Sequence, residues 1–369
     1  MLFCIANNLF AQQKNFVNRT IDWAYKIVQG DSAHPKKKYY FPVPIIAYKP
    51  ETRWVLGLSL THLFRVQDGD SITRPSTIRL NISYSQNNQL SIKPYLDIFT
   101  KKNRFNIKAY YQFTDFSEYF WGVGINTPNE NKELYHFNMQ KINVKAAYQF
   151  LPKLYAGAQL NVEKMYNVSY AKNPSIMENS NIPGTRGSFS SGLGFTIYYD
   201  NRNNIYFPTK GQYIEFSNCF YNAAFGSNYN FTSFVFDGRK YIGLWKENVL
   251  AFQTFANINI GTAPFRLLGT LGSDSYMRGY YAGRYRDNNS MAFQTELRKT
   301  IWGPISIVMF GGFGTVSSGI SELANNLKPN YGGGLRIMGI PREKMNIRLD
   351  YGKGIDGNEA FYITMAEAF

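Results

Sequence analysis

The sequence predicts an all-β fold, a sixteen-stranded antiparallel transmembrane β-barrel with a short N-terminal helical segment. Three observations predict it: the composition, a strict two-residue alternation of polarity, and the order of short and long connections. Among 369 residues there are 28 Tyr and 29 Phe, yet only 18% are charged and the mean hydropathy is −0.32. Barrel strands alternate lipid-facing apolar side chains with polar lumen-facing ones, so such a chain is aromatic without being hydrophobic on average. A large soluble β-protein is the alternative that composition alone leaves open.

Several classes of protein are disfavoured by the same counts. No apolar run approaches the roughly 18 residues that a membrane-spanning helix needs. Cys4 and Cys219 are the only cysteines, too few for a disulfide framework, and His34, His62 and His136 are too far apart for a metal motif on one helix. No G-x-S-x-G motif occurs, although a Ser-His-acid site assembled in space stays formally open. The sequence therefore predicts a protein that is not an enzyme and needs no metal or cofactor.

The net charge of +15 does not indicate nucleic-acid binding. It arises from 40 basic and 25 acidic residues, and the basic ones are scattered singly through the alternating segments. The single basic run is at residues 36–38, whereas a nucleic-acid site groups its cations in a patch or stripe. We expect the excess charge to lie on the lumen and rims of the barrel, and we predict no nucleic-acid partner.

The N-terminal region divides into two parts before the barrel. Residues 1–11 end in Leu-Phe-Ala before two glutamines and resemble the end of a secretory signal peptide, although a basic start is missing. We favour a truncated signal peptide, with a disordered start as the alternative. Residues 12–38 are predicted to form a periplasmic helix and linker, since apolar residues recur at helical spacing within 16–28. The barrel is predicted to occupy residues 39–369.

The strands are predicted from period-two patterns. Residues 78–85, 105–113 and 345–351 each alternate an apolar with a polar side chain, which is typical of a strand with one apolar and one polar face. Dividing the chain at turn signals gives about sixteen such segments. The predicted spans are 39–49, 53–66, 74–86, 89–99, 103–114, 134–150, 152–168, 187–200, 211–224, 228–243, 247–261, 290–301, 303–316, 328–340, 343–352 and 358–369.

The connections provide an independent test of this parse. Outer-membrane barrels have short periplasmic turns and long external loops, which alternate along the chain. The long connections 115–133, 169–186, 262–289 and 317–327 all fall on one side. The main exception is 201–210, a long connection on the short-turn side. An even number of strands also places both ends of the barrel in the periplasm.

The last predicted strand carries a targeting feature. Phe361, Ile363, Met365 and Phe369 are predicted to share its apolar face, with Glu367 interrupting that face. A terminal aromatic residue on an alternating strand resembles the targeting signal of outer-membrane barrels.

Three segments resemble the bacterial surface antigen family, the membrane barrel of BamA and TamA type assembly factors and translocases. The first is Asp200-Asn201-Arg202-Asn203 with Pro208 and Gly211 downstream. It matches a periplasmic turn of the family and lies in the exceptionally long turn. For Asp200, Arg202 and Asn203 a purely structural turn role is the open alternative, because Asp and Asn are common in turns.

The second and third segments resemble the family's external loop six and the strand that follows it. They are Arg278-Gly279-Tyr280 in the sixth external loop and Glu296-Leu297-Arg298. The resemblance implies that loop six folds back into the lumen and that Arg278 meets Glu296, because a buried guanidinium needs a carboxylate partner. The alternative for Arg278 is an ordinary solvated loop charge. The family carries a further Asp on the next strand, and Gly312 stands at that position.

The resemblance covers roughly residues 39–369 and implies a function. It implies an integral barrel of the bacterial outer membrane that assists outer-membrane protein assembly or protein translocation. The alternative is an outer-membrane pore or structural barrel whose lumen loop six plugs. Phospholipid, lipopolysaccharide and client or accessory outer-membrane proteins are the expected partners. The segment between Ala11 and Tyr39 is too short for a periplasmic POTRA module, so we expect a barrel without one.

Overall fold

The computed structural model describes residues 39–49, 51–66, 72–245, 248–340 and 344–369. The predicted signal peptide in residues 1–11 and the predicted helix in 12–38 lie outside the described residues. Within the described ranges, none of the helices has the length and apolar character to cross a membrane.

The described residues form one antiparallel sheet of sixteen strands, each paired with the next along the chain, so the predicted fold class is confirmed. This is the up-and-down order, in which each strand pairs with the strands that precede and follow it in the sequence. The strands are β1 (Tyr39–Lys49), β2 (Arg53–Phe64), β3 (Ser76–Ser85), β4 (Leu90–Phe99), β5 (Phe105–Phe120), β6 (Glu133–Leu151), β7 (Leu154–Tyr170), β8 (Ser188–Asp200), β9 (Gly211–Tyr221), β10 (Phe231–Gly243), β11 (Val249–Gly261), β12 (Asn289–Trp302), β13 (Ile305–Ser317), β14 (Lys328–Ile340), β15 (Met345–Lys353) and β16 (Glu359–Met365).

The two faces of the strands match the alternation in the sequence. On β3, Ile78, Ile82 and Tyr84 are exposed outward, while Thr77 is buried on the inner face. Outward apolar side chains suit contact with lipid, and the inner face carries the polar residues. The period-two pattern therefore identified the outward apolar face correctly.

Two strand ends differ clearly from the prediction. β5 continues to Phe120 and so extends beyond the predicted end at residue 114. β16 ends at Met365, because Ala366 has a positive φ of 64° that ends the extended backbone.

The C-terminal residues correct the prediction of a shared apolar face. Phe361 and Ile363 are exposed outward and Met365 packs against an inner cluster, but Phe369 is buried inside the barrel. Its ring lies 6.5 Å from that of Tyr241, measured between centroids. The prediction was wrong for Phe369 because it extended the alternation past the turn at residue 366.

The lumen is filled from both ends by long connections. The connection between β11 and β12 carries a small two-stranded hairpin, Gly269–Leu271 with Tyr285–Asp287. Leu271, Tyr280 and Tyr285 from this connection are buried against the inner wall. At the opposite end, Tyr206 and Phe207 of the turn between β8 and β9 are also buried.

One place in the wall lacks a backbone ladder. Every strand pairs with its neighbours except at the boundary between β1 and β16, where no pairing occurs among the described residues. We call this boundary the seam.

Candidate functional site: the loop-six lock and the seam

Arg278, at the tip of the connection between β11 and β12, is fully buried between two carboxylates. Its Nη2 lies 2.6 Å from Oε2 of Glu296 on β12, and its Nη1 lies 2.6 Å from Oδ2 of Asp350 on β15. Both carboxylates are fully buried as well. Charge-assisted hydrogen bonds of this length offset the cost of desolvating a guanidinium, which an unpaired buried charge could not. The structure thus brings Arg278 and Glu296 together.

Arg278 belongs to a larger set of buried charges, which we call the loop-six lock. Glu296 also accepts a hydrogen bond from Nε of Arg298 at 2.7 Å. Arg336 on β14 donates to Asp350 at 2.5 Å and to Glu367 at 2.7 Å. The lock comprises Arg278, Arg298, Arg336, Arg348, Glu296, Asp350 and Glu367, all with side chains at most 2% exposed.

The residue that takes the role expected at position 312 is Asp350. A Cβ on Gly312 would lie 2.4 Å from the carbonyl oxygen of Phe293, so this position has no room for a side chain. β13 contributes the ring of Phe310 instead, and the guanidinium carbon of Arg278 lies 3.5 Å from its centroid. A cation over an aromatic face is a favourable contact in a desolvated site. The second carboxylate therefore comes from β15 and not from β13.

The backbone around Arg278 is fitted closely to the last strands. Gly279 has a φ of 109°, and a Cβ there would lie 2.7 Å from the backbone nitrogen of Lys353. Its N–H donates to the Tyr362 hydroxyl on β16 at 3.0 Å. The Tyr280 hydroxyl donates to the carbonyl of Pro329 at 2.6 Å. Glycine at 279 is required both by the positive φ and by this close approach.

Arg298 connects the lock to the periplasmic end. It donates to the carbonyl of Pro208 at 3.2 Å and to that of Phe369 at 2.9 Å. Pro208 lies in the turn between β8 and β9, and Phe369 lies beyond β16. One arginine therefore holds the inward turn between β8 and β9 and the C-terminal segment together.

The turn between β8 and β9 has its own ion-pair centre at Asp200. Arg202 and Arg74 approach its carboxylate to 2.8 Å and 2.6 Å. Burial alone lowers the pKa of Arg202, but the charge of Asp200 reverses this effect and raises that pKa above its ordinary value. Asn203 accepts hydrogen bonds from the backbone N–H groups of Thr209 and Lys210. These contacts are those of a structured turn.

Gly211 ends this turn under a steric constraint. Its φ is 103°, and a Cβ would lie 2.5 Å from the carbonyl oxygen of Asn201. The five predicted turn residues, Asp200, Arg202, Asn203, Pro208 and Gly211, thus lie in one inward-folded unit.

Loop six is also attached to the opposite wall. Arg266 approaches Glu118 of β5 to 2.5 Å, and its guanidinium carbon lies 4.6 Å from the Phe137 ring centroid. Burial lowers the pKa of Arg266, while the Glu118 carboxylate outweighs burial and raises it above its ordinary value. Loop six is therefore fixed on both sides of the lumen.

The seam contrasts with this wall. A cavity of about 620 Å³ lies there, with β1 and β16 side chains on either side and Arg79, Asn81 and Asp274 among its inner residues. Two prolines, Pro42 and Pro44, lie on β1. A proline in an edge strand turns its nitrogen away from the ladder. Backbone nitrogens two residues apart in a strand point to the same side. Pro42 and Pro44 therefore both remove an N–H donor from the seam edge of β1.

Sequence reasoning missed four members of the lock and the ring contact of Phe310 with Arg278. The missed members are Asp350, Arg336, Arg348 and Glu367. A signal was present, because Asp350 and Arg348 lie on the polar face of the period-two pattern in β15. That pattern indicates which side chains enter the lumen, but not which of them lie at the level of Arg278.

Comparison with known proteins gives a family and a fold. Residues 74–369 match the Omp85 superfamily domain. BamA from Haemophilus ducreyi lacking POTRA domains 1–3 has a TM-score of 0.54 at 14% identity, over 90% of this chain and 70% of that one. CdiB from Acinetobacter baumannii has a TM-score of 0.57 at 10% identity, over 89% of this chain and 60% of that one. No curated protein matches the chain.

At such low identities these likenesses show a shared fold alone. The chain spans less than two thirds of the length of CdiB. The match to the superfamily domain takes in the barrel from just before β3 to the last residue. The protein therefore belongs to the Omp85 superfamily.

Proposed function

We propose that this protein is an integral barrel of a Gram-negative outer membrane that assists the assembly or translocation of other outer-membrane proteins through its seam. The observation that carries the proposal is the gap in the backbone ladder between β1 and β16, the single one among the described residues. Membership of the superfamily agrees with the prediction that the chain is not an enzyme. In this proposal residues 39–369 form one membrane domain, and residues 12–38 lie on its periplasmic side.

Unpaired backbone groups at the seam are the physical basis of this proposal. In lipid every N–H and C=O must find a partner, so an open strand edge is costly and offers a template for another strand. The edge of β1 is weakened as a template because Pro42 and Pro44 remove donors from it. β16 has no proline between Glu359 and Met365, so its edge is the one to which a client strand pairs.

The lock supports opening at the seam because it holds the rest of the wall. Its ion pairs join loop six to β12, β14 and β15. β16 is joined to the tip of loop six by the hydrogen bond between Gly279 and Tyr362. Movement of β1 away from β16 thus breaks no ladder bond among the described residues, while the lock keeps β16 and loop six in place.

The test is to close the seam covalently. Ile45→Cys on β1 and Ile363→Cys on β16, which line the same cavity, are combined with Cys4→Ser and Cys219→Ser and joined by a bismaleimide in proteoliposomes. The measurement is the rate at which an unfolded outer-membrane barrel added outside the vesicles becomes protease-resistant. We expect cross-linking to reduce this rate at least about tenfold, towards that of protein-free vesicles, because strand addition needs a free edge.

The matched control joins two strands that are already paired. Ile142→Cys and Val162→Cys occupy partner positions on β6 and β7 and do not line the seam cavity, so their cross-link should leave the rate unchanged. Equal rates with the seam open and cross-linked would overturn the proposal. A large steady conductance in planar bilayers, increased by Arg278→Glu and unaffected by the seam cross-link, would favour the pore instead.

A further inference from the structure

The cavity at the seam changes character from its outer to its inner side. The residues contributed by β1 and β16 are mostly apolar: Val43, Pro44, Ile45, Ile46, Phe361, Ile363 and Met365, with Thr364 as the polar exception. Arg79, Asn81 and Asp274 line the same space on the lumen side. A space of this size, apolar towards the membrane and charged within, is suited to an amphiphile.

Arg79 lacks the carboxylate partner that several lumen arginines have. Arg74, Arg239 and Arg278 each have a carboxylate oxygen within 2.6 Å. Arg79 forms no ion pair with the described residues, and its Nε, like that of Arg278, is buried without a hydrogen-bond partner among them. The Oδ1 atom of neighbouring Asn81 is likewise buried and unpaired within the described ranges. A guanidinium drawn partly out of water without a partner is costly, so an anion at this point would be stabilising.

The charge beside Arg79 does not cancel this preference. Asp274 also lines the cavity, but it lies 3.5 Å from Nη2 of Arg348. Its negative charge is therefore partly compensated by a different cation. Arg79 remains the side chain of the cavity that offers an uncompensated positive charge.

The strand edges determine which kind of occupant fits. A resting peptide strand beside β1 would face an edge that lacks the N–H donors of Pro42 and Pro44, and its carbonyl groups would stay unsatisfied. Acyl chains make no such demand, since they bind apolar surface without hydrogen bonds. The seam cavity thus favours a lipid over a strand as its resting occupant.

The position of Arg79 along β3 indicates the membrane leaflet from which a bound head group comes. Arg79 on β3 pairs with Thr61 on β2, three positions before β2 ends at Phe64. That end of β2 leads into a connection on the periplasmic side of the predicted topology. A head group at Arg79 therefore belongs to the inner leaflet, where phospholipid and not lipopolysaccharide is found.

We propose that the seam cavity binds one anionic phospholipid, with its phosphate at Arg79 and its acyl chains between the apolar side chains of β1 and β16. The lipid covers the unpaired edges at rest. A client strand that pairs with β16 displaces it. The binding itself does not depend on the proposed assembly function and can be measured without a client.

The experiment uses purified full-length protein in a neutral detergent. Dioctanoyl phosphatidylglycerol and dioctanoyl phosphatidylcholine are titrated separately, and bound lipid is counted by native mass spectrometry. We expect one tight phosphatidylglycerol and weaker binding of phosphatidylcholine. Arg79→Gln should lower the affinity for phosphatidylglycerol about fivefold, the scale of one cation near an anionic head group, and leave that for phosphatidylcholine unchanged.

Lys108→Gln is the matched control. Lys108 lines a separate lumen cavity together with Arg79, but it does not line the seam cavity. Its substitution removes the same charge and should leave phosphatidylglycerol binding within twofold. An equal loss in both variants would show a general charge effect and overturn the site. Heat-modifiable gel mobility verifies that each variant is folded.

Two further measurements identify the source of the anion and the role of the chains. Glycerophosphoglycerol and inorganic phosphate, which have no acyl chains, should not compete at concentrations where the lipid saturates; equal competition would mean a free-anion site and overturn the proposal. Ile45→Asn should weaken both lipids together, because it alters the chain-binding surface and not Arg79. Unchanged binding of both lipids to this variant would place them elsewhere on the barrel.

Discussion

The wall from β12 to β15 and the seam between β1 and β16 differ in whether their polar groups have partners. In the lock, Arg278 has two carboxylates at 2.6 Å and an aromatic face at 3.5 Å. At the seam, Arg79 has no carboxylate partner among the described residues, and the neighbouring strands form no ladder. Polar groups in a low-dielectric site are either fully satisfied or costly. The buried charges of the lock are therefore paired, whereas Arg79 and the facing strand edges at the seam lack such partners among the described residues.

β16 belongs to both regions, which explains how a fixed wall and an open edge coexist. One edge of β16 pairs with β15, and Tyr362 accepts a hydrogen bond from the tip of loop six. Glu367, just beyond β16, pairs with Arg336 of the lock. The other edge faces β1 without pairing among the described residues.

Removing Glu296 should have the largest effect. Glu296→Ala leaves Arg278 and Arg298 without a shared carboxylate in a fully buried site. We expect a loss of about 3–5 kcal/mol in the free energy of unfolding, as for a broken buried pair. Urea titration followed by heat-modifiable gel mobility measures it. The exposed control Glu322→Gln should shift the midpoint by no more than about 0.5 kcal/mol, and equal shifts would show that the lock adds no stability.

Replacing Asp350 should have the second largest effect on the free energy of unfolding, because Arg278 then keeps the carboxylate of Glu296. Asp350→Asn keeps the shape but weakens hydrogen bonds from Arg278 and Arg336, for an expected cost of about 1.5–3 kcal/mol in the same titration. Adding Gly312→Asp should not restore stability, since a Cβ there would contact the Phe293 carbonyl oxygen at 2.4 Å. Rescue by that second change would mean that β13 can supply the carboxylate after all.

Asp200 tests whether the periplasmic turn is as rigid as the lock. Asp200→Asn weakens the contacts to Arg74 and Arg202, whose side chains are 18% and 11% exposed. Partial access to water reduces the penalty, so we expect about 1–2 kcal/mol in urea titration. We also expect faster proteolysis within 201–210. Lys210→Gln, an exposed change in the same turn, serves as the control, and matching proteolysis of the two variants would contradict the role of Asp200.

The smallest change in stability should come from the seam. Pro42→Val with Pro44→Val returns two N–H donors to an open edge, so we expect the pair to add no more than about 1 kcal/mol, the scale of one net hydrogen bond. Hydrogen exchange of β16 amides should slow, and the rate of client insertion should fall. Pro94→Val on β4, a strand paired on both edges, is the control. Unchanged exchange in β16 would mean that the prolines do not keep the seam open.

The resemblance identified one contact of the lock and missed its other half. Arg278 and Glu296 were predicted together and lie together, whereas Asp350 entered the prediction only as one polar residue of the alternating segment 345–351. The difference is one of distance along the chain: Asp350 is brought to Arg278 by the register of β12 through β15. Phe369 was misplaced for a local reason, because the positive φ at Ala366 ends an alternation that the prediction had continued past Met365.

The sequence by itself determined the sixteen strands, their two faces and the sides of their connections. Those features follow from a period of two and from turn residues, which act within a few positions of each other. The tertiary structure alone decided which carboxylates meet Arg278, that Arg79 meets none among the described residues, and that the ladder is broken at one boundary. These outcomes depend on strand register and on the approach of residues 39–49 and 359–365, because ion pairing and closure are long-range and no local pattern encodes them.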